Sequence, residues 1–426
     1  MRAFRRPAPL FADTMRIDGP SSAAFLLGIA IFSLITFLRW PEILTHPTFW
    51  GEDGWFWWPE ARKFGLDSLF MPHTGYFQTD SRLVGLLAAP FPLKDGPLIF
   101  ALAAFIFQIM PPAYFLSSRC AALCPSTALR FMIGAILCAM PNTWEVYANL
   151  TNSQWHLAIL SCLIIMASSP RTTMAWVFDI SMLIVGSFSG PFSILLAPVA
   201  IWITWCNFDK ARIIRLSVVL IGACLQIYSI LHLARGVPPY LGATPTAMAR
   251  LIGGQIVGAS LLGHRHLEQI YSLSLWKDNV LPWIITIVAL WLVCVASYRF
   301  VALRIYGFFA ITVFSASMAC PVSTGTVPTW TAFTAMDFGG RYFYIIITFW
   351  LVTIISLAFA GERGSARLVA RILLTICLCI GIPRDWRMNP FSDAEFLIQA
   401  EKFETAPVGT HMILPERPGG PFEVVK

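Results

Sequence analysis

Met174–Cys206 reads MAWVFDISMLIVGSFSGPFSILLAPVAIWITWC. These 33 residues hold a single charged side chain, Asp179, so the stretch is apolar enough to sit in lipid. One crossing takes about 20 residues, and Gly186, Gly190 and Pro191 interrupt the run near its middle. Both flanks are basic: Arg171 precedes it, and Lys210, Arg212 and Arg215 follow. Lys and Arg mark the cytoplasmic ends of spans. The stretch therefore crosses twice, or dips in and returns, and the chain leaves it on the side from which it entered.

Nine further runs extend this reading to a whole fold. Apolar runs lie at 21–38, 96–117, 127–141, 155–168, 214–233, 280–297, 305–322, 342–360 and 368–382, and the broken stretch adds 174–188 and 191–206, eleven in all. Alternate connections are basic: Arg2, Arg5, Arg6 and Arg16; Arg119 and Arg130; Arg171; Lys210, Arg212 and Arg215; Arg299 and Arg304; Arg363, Arg367 and Arg371. The connections between them, 142–154 and 186–190, carry no Lys or Arg, and 323–341 carries only Arg341. The pattern predicts an all-α polytopic membrane protein of about 11 transmembrane helices, N-terminus inside and C-terminus outside. Residues 1–382 form the transmembrane domain, with outside loops at about 39–95 and 234–279, and 383–426 form a small outside tail. The first run reads as a retained signal anchor, because Met1–Pro20 is too polar for a cleavable signal.

Composition agrees. Of 426 residues, 57% are hydrophobic and 12% charged, with a mean hydropathy of +0.68. Soluble domains carry about 25% charge, so a soluble enzyme, a disordered chain and a disulfide-stapled secreted domain are excluded. The net charge of +7 belongs to the cytoplasmic helix ends rather than to a nucleic-acid surface. None of the cysteines falls in the long outside loops, and no metal set or disulfide framework is implied.

Chemistry concentrates outside, in WGEDGWFWWPEARKFGLDSLFMPHTGYFQTDSRL, Trp50–Leu83. Glu52 and Asp53 stand between two glycines and two tryptophans, where a carboxylate of raised pKa can act as a general base. Arg82 and Lys63 suit a phosphate. His73 and Tyr76 are candidate substrate contacts. Trp55–Trp58 read as an aromatic anchor at the membrane surface, and 81–93 as a juxtamembrane helix. Elsewhere Arg341, in GGRYFY (339–344), is the lone cation of its loop, with Asp337 as its expected counter-ion, and Asn152, Gln154 and His156 mark the outside start of a span. Asp179 is a candidate proton relay. The tail is expected to fold back over the outside face. FSDAEFLIQAEKFETA would form an amphipathic helix with Phe391, Phe396, Leu397 and Phe403 on its apolar face, followed by an extended end.

The order of first span, outside Glu52-Asp53, surface helix, then Pro72–Tyr76 and Arg82 resembles the GT-C class of integral-membrane glycosyltransferases. It is most similar to the bacterial O-antigen glucosyltransferase-like proteins. The resemblance is general over the topology and specific over about 50–83, with a second local match at 339–344. It implies an inverting transfer from a polyprenyl-phosphate sugar donor to a glycan or lipid-linked acceptor, at the periplasmic face of a bacterial inner membrane. The base falls on Asp53, which is favoured, or on Glu52. The donor phosphate falls to Arg82, Arg341 and Lys63. No cofactor is required, and a divalent metal is not indicated. Two other readings use the same helices: a transporter or flippase of a lipid-linked saccharide, and a membrane acyltransferase. The first would need broken helices related by repeat, and only the 186–191 break is seen. The second would need a nucleophile–base arrangement that no His or Ser supplies.

Overall fold

A computed structural model describes residues 19–233, 240–322, 327–335, 338–389, 396–415 and 420–426. Arg2, Arg5, Arg6, Arg16, Asp337 and Phe391 lie outside these residues. Among the described residues the chain is mostly helical, with 74% of them in helices. Among the described residues seven helices are long and apolar enough to cross a membrane: α1 (Ser22–Arg39), α4 (Leu93–Leu116), α9 (Lys210–His232), α11 (Val280–Arg299), α12 (Val301–Ala319), α13 (Gly340–Ala360) and α14 (Ser365–Arg384). Four shorter apolar helices stand among them: α5 (Thr127–Ala139), α6 (Ser153–Met166), α7 (Thr173–Ser187) and α8 (Phe192–Cys206). All eleven fall on the apolar runs read from the sequence.

Local chemistry sets where several of them start. Ser126, Thr172 and Asp209 each accept from the backbone N–H three residues on, at 3.2, 3.2 and 2.9 Å, and so cap α5, α7 and α9. Burial then sorts centre from rim. α13 is 78% buried and forms the bundle's centre with α6, whereas α1 is only 22% buried and turns Leu26, Leu27 and Leu34 outward, as a lipid-facing helix does.

α7 and α8 are 15 residues each, about 22 Å at 1.5 Å per residue, against a hydrocarbon core of about 30 Å. Their tip, Phe188–Pro191, is covered by a strap, residues 73–80, folded down from the first long loop. The backbone N–H of Gly190 donates to the Phe77 carbonyl (2.9 Å), that of Thr79 to the Phe188 carbonyl (3.2 Å), and that of Asp80 to Ser189 Oγ (2.9 Å). α9 holds the other side. Gln226 accepts from the Phe77 N–H (2.9 Å) and donates to its carbonyl (3.2 Å), and Ser229 donates to the Gly75 carbonyl (3.1 Å).

At the opposite end of the bundle, Asp179 is fully buried. It accepts from Arg119 (2.8 Å), Arg215 (2.6 Å) and the Tyr114 hydroxyl (3.2 Å). With two guanidiniums on one carboxylate, Asp179 ties three helices together.

Several surface segments differ from their sequence readings. The segment after α9 contains α10 (Pro245–Leu251), continued by wider helical turns to Leu262 and packed on α11 and α13, rather than an open loop. Its three glycines, Gly253, Gly254 and Gly258, masked it as a helix. Of the aromatic run, Trp55 is exposed, but Trp57 and Trp58 are buried beneath the tail. Helix α2 (Trp58–Phe64) leads from there toward α3 (Thr79–Ala88), which lies where a juxtamembrane helix was expected, with Leu83 and Leu87 outward. The tail forms α15 (Phe396–Thr405) and a two-stranded antiparallel sheet, β1 (His411–Leu414) with β2 (Phe422–Val425). Phe396, Ala400 and Phe403 share the buried face; Leu397 sits about 100° away on the helix and is exposed. Leu414, Phe422 and Val424 complete a core with Phe49, Trp57 and Phe100.

Candidate functional site

Between the strap and the facing ends of α6, α8, α9 and α12 lies a cavity of about 290 Å³. One end is polar, lined by Glu52, His73, Thr74, Tyr76, Gln78, Thr151, Asn152, Gln154 and Arg341. The other descends among membrane-helix side chains: Ile194 and Leu195 of α8, Ile230 of α9, Val313 and Ala316 of α12. Six of the ten residues given a base, phosphate or substrate role from the sequence, drawn from four separate segments, thus line one space.

The two adjacent carboxylates divide. Glu52 faces the cavity; Asp53 is 2% exposed and lies behind Thr151. Trp57 Nε1 donates to Thr151 Oγ1 (3.1 Å), and Thr151 Oγ1 donates to Asp53 Oδ1 (3.0 Å). The Trp50 N–H donates to Asp53 Oδ2 (3.3 Å). Burial pushes the Asp53 carboxyl well above its usual range, outweighing these hydrogen bonds, and Glu52 and Asp80 nearby push the same way. Asp80, also buried, is pushed up to about 6.

Arg341 lines the cavity, and its counter-ion among the described residues is one the sequence reading passed over. Glu145 accepts from Arg341 Nη1 (2.5 Å) and, through its second oxygen, from the Arg341 backbone N–H (2.9 Å). Glu145 is itself anchored, because its carbonyl accepts from both the Asn149 and the Asn152 side-chain amides. The available signal was that Glu145 is the lone carboxylate in a connection without Lys or Arg. Arg341 also stacks on Tyr342, its guanidinium carbon 4.9 Å from the ring centroid.

His73 and Tyr76 are the ends of a two-residue hairpin turn, paired as a bridge. Its centre is Thr74-Gly75, with φ of 52° and 89°. Gly75 adopts that region freely, but a β-branched residue there is strained by about 1–3 kcal/mol. Asn-Gly is the favoured pair for such a turn. Thr74→Asn is therefore expected to raise stability by roughly 1 kcal/mol, read as a higher midpoint of thermal unfolding in detergent; a lower midpoint would contradict the strain. The His73 ring lies 4.3 Å from Phe56 and 5.0 Å from Trp57, between centroids. Burial, and then the charge of Arg82, pull His73 down to about 4, so it is neutral near pH 7.

The remaining residues lie elsewhere. Arg82 is buried behind Trp57, its guanidinium 4.7 Å from that ring, and is paired with Glu60 rather than open to the cavity. Lys63 lies over Phe64 on α2, away from the cavity lining. His156 is held by both nitrogens. Nε2 is 2.8 Å from the Val146 carbonyl, which can only accept, so Nε2 donates; Nδ1 then accepts from the Tyr344 hydroxyl at 2.8 Å. It orders the floor of the bundle without lining the cavity. Among the described residues no group of three or more His, Cys, Asp and Glu side chains gathers as a metal set.

No family model and no curated protein matches the chain.

Proposed function

We propose that the protein is an inverting membrane glycosyltransferase. It moves a sugar from a polyprenyl-phosphate donor to a cell-surface or lipid-linked glycan. The observation that carries this reading is the two-ended cavity: charged and hydrogen-bonding at one end, apolar among membrane helices at the other. A sugar phosphate on an isoprenoid chain has the same division. In this reading the lipid tail lies along α8, α9 and α12, and its phosphate meets Arg341. Tyr76, Asn152 and Gln154 contact sugar hydroxyls. Glu52 takes the proton of the acceptor hydroxyl as its oxygen bonds to the anomeric carbon. The bond from that carbon to the phosphate oxygen breaks, and the electron pair leaves on the lipid phosphate, where Arg341 stabilises it. Asp53 accepts from the Thr151 hydroxyl and fixes Thr151 at the cavity wall.

The eleven apolar helices are then eleven crossings, with the N-terminus inside and the site on the periplasmic side of a bacterial inner membrane. Deleting the gene and comparing the surface glycan by mass spectrometry tests the proposal. The expected result is a glycan lacking one sugar, restored by the wild-type gene. An unchanged glycan overturns it.

A further inference from the structure

We infer that Glu145 is the residue that sets how much negative charge the cavity accepts, selecting a singly charged phosphodiester and releasing a doubly charged phosphomonoester. The inference rests on the proposed donor class and concerns the same cavity. Its basis is a charge count. Arg341 is the one cation among the described lining residues: His73 is neutral near pH 7, and Arg82 is turned to Glu60 behind Trp57. Arg341 does not present its full charge, because Glu145 grips both its guanidinium and its backbone N–H. The Asn149 and Asn152 amides hold the Glu145 backbone carbonyl and so fix where its side chain starts, while the carboxylate itself is held by the two Arg341 donors. Glu52 adds a second carboxylate to the cavity wall. Arg341, Glu145 and Glu52 together carry a net charge of about −1 when both carboxylates are ionised.

A sugar joined to a lipid through one phosphate is a diester carrying one negative charge. Transfer of the sugar leaves a lipid phosphomonoester carrying about −1.5 to −2 near pH 7. The site is therefore more repulsive to the product than to the donor, and repulsive also to a diphosphate-linked lipid. A bare arginine would do the opposite and hold the more highly charged species longest. Glu145 is a positioning and specificity residue in this account; it touches Arg341 and not the reacting atoms.

The test is binding to the purified full-length chain in lipid nanodiscs. The probes are farnesyl phosphate, its methyl phosphodiester and farnesyl diphosphate, compared between wild type, Glu145→Gln and Glu145→Asp. Glu145→Gln keeps an oxygen for the Arg341 N–H and removes one charge. It is expected to bind the monoester and the diphosphate about tenfold more tightly, with the diester changed about threefold at most, because one like charge a few ångströms away acts more strongly on the dianions. Glu145→Asp, which keeps the charge, is expected to retain the wild-type order. Equal tightening for all three probes, or none, in a Glu145→Gln protein that unfolds at the wild-type temperature overturns the inference and leaves the donor class standing. Failure of wild type to bind any of the three overturns the donor class, and the inference with it.

Discussion

Glu52→Gln is expected to cut sugar transfer by about 10²–10⁴-fold, the usual cost of losing a positioned base, while Asp53→Asn keeps most of the activity. The contrast follows from what each carboxyl faces. Glu52 reaches the cavity, where an acceptor hydroxyl can give up its proton. Asp53 is enclosed between Trp50, Trp57 and Thr151, and receives the Trp50 N–H and the Thr151 hydroxyl. With asparagine at position 53 the single amide oxygen can receive the Trp50 N–H while the amide NH2 donates to the Thr151 hydroxyl oxygen, so Thr151 keeps its place. Transfer assayed with a defined donor decides the matter: loss in Asp53→Asn with activity kept in Glu52→Gln would exchange the two roles.

Asp53→Asn also carries a stability signature. An acid whose pKa is raised on folding binds its proton more tightly in the native state. Its burial then costs stability progressively as pH rises from the ordinary value of 3.8 toward the folded one. Asp80 adds the same slope up to about 6. Wild type is thus expected to lose thermal stability as pH rises from about 4, and Asp53→Asn to lose less over the same range. A midpoint that rises with pH over this range, or a slope unchanged by the substitution, would show that Asp53 does not carry a raised pKa.

Arg341→Ala is expected to lower transfer by about 10²–10³-fold, as removal of a donor aimed at developing charge does. It is also expected to destabilise the chain by about 2–3 kcal/mol, because Glu145 keeps its place with its charged partner gone. Arg341→Lys separates the two effects. It restores the charge but not the planar fork that meets Glu145, so stability should recover less completely than phosphate binding. Turnover and unfolding measured on the same preparations check this; unaltered transfer in Arg341→Ala would remove Arg341 from the phosphate site.

The spans were legible because lipid imposes a composition that needs no knowledge of neighbours, and each apolar run became a helix. The site was legible as a set of segments, not as a set of contacts. Glu52-Asp53 stood out as a pair, but which member faces the cavity depends on Thr151 and Trp57 arriving behind Asp53. Arg82 looked like a phosphate ligand because nothing in the sequence shows Trp57 standing in front of it and Glu60 beside it. Glu145 was invisible for the converse reason: a single acidic residue in WEVYANL gains its meaning from Arg341, 196 positions away. The turn at Thr74 was quoted in the sequence without its strain, which only the backbone angles reveal.

The strap over the α7–α8 tip has a consequence for biosynthesis. Phe77 depends on Gln226, which follows it by 149 residues. At about 5–20 residues per second, the strap leaves the ribosome roughly 7–30 s before its last partner exists. Until the α7–α8 tip and then α9 are made, its backbone groups have only water or headgroups to bind, so the strap reaches its final place only once α9 exists. The cavity end of the molecule is therefore closed late in synthesis, by a segment that was made early.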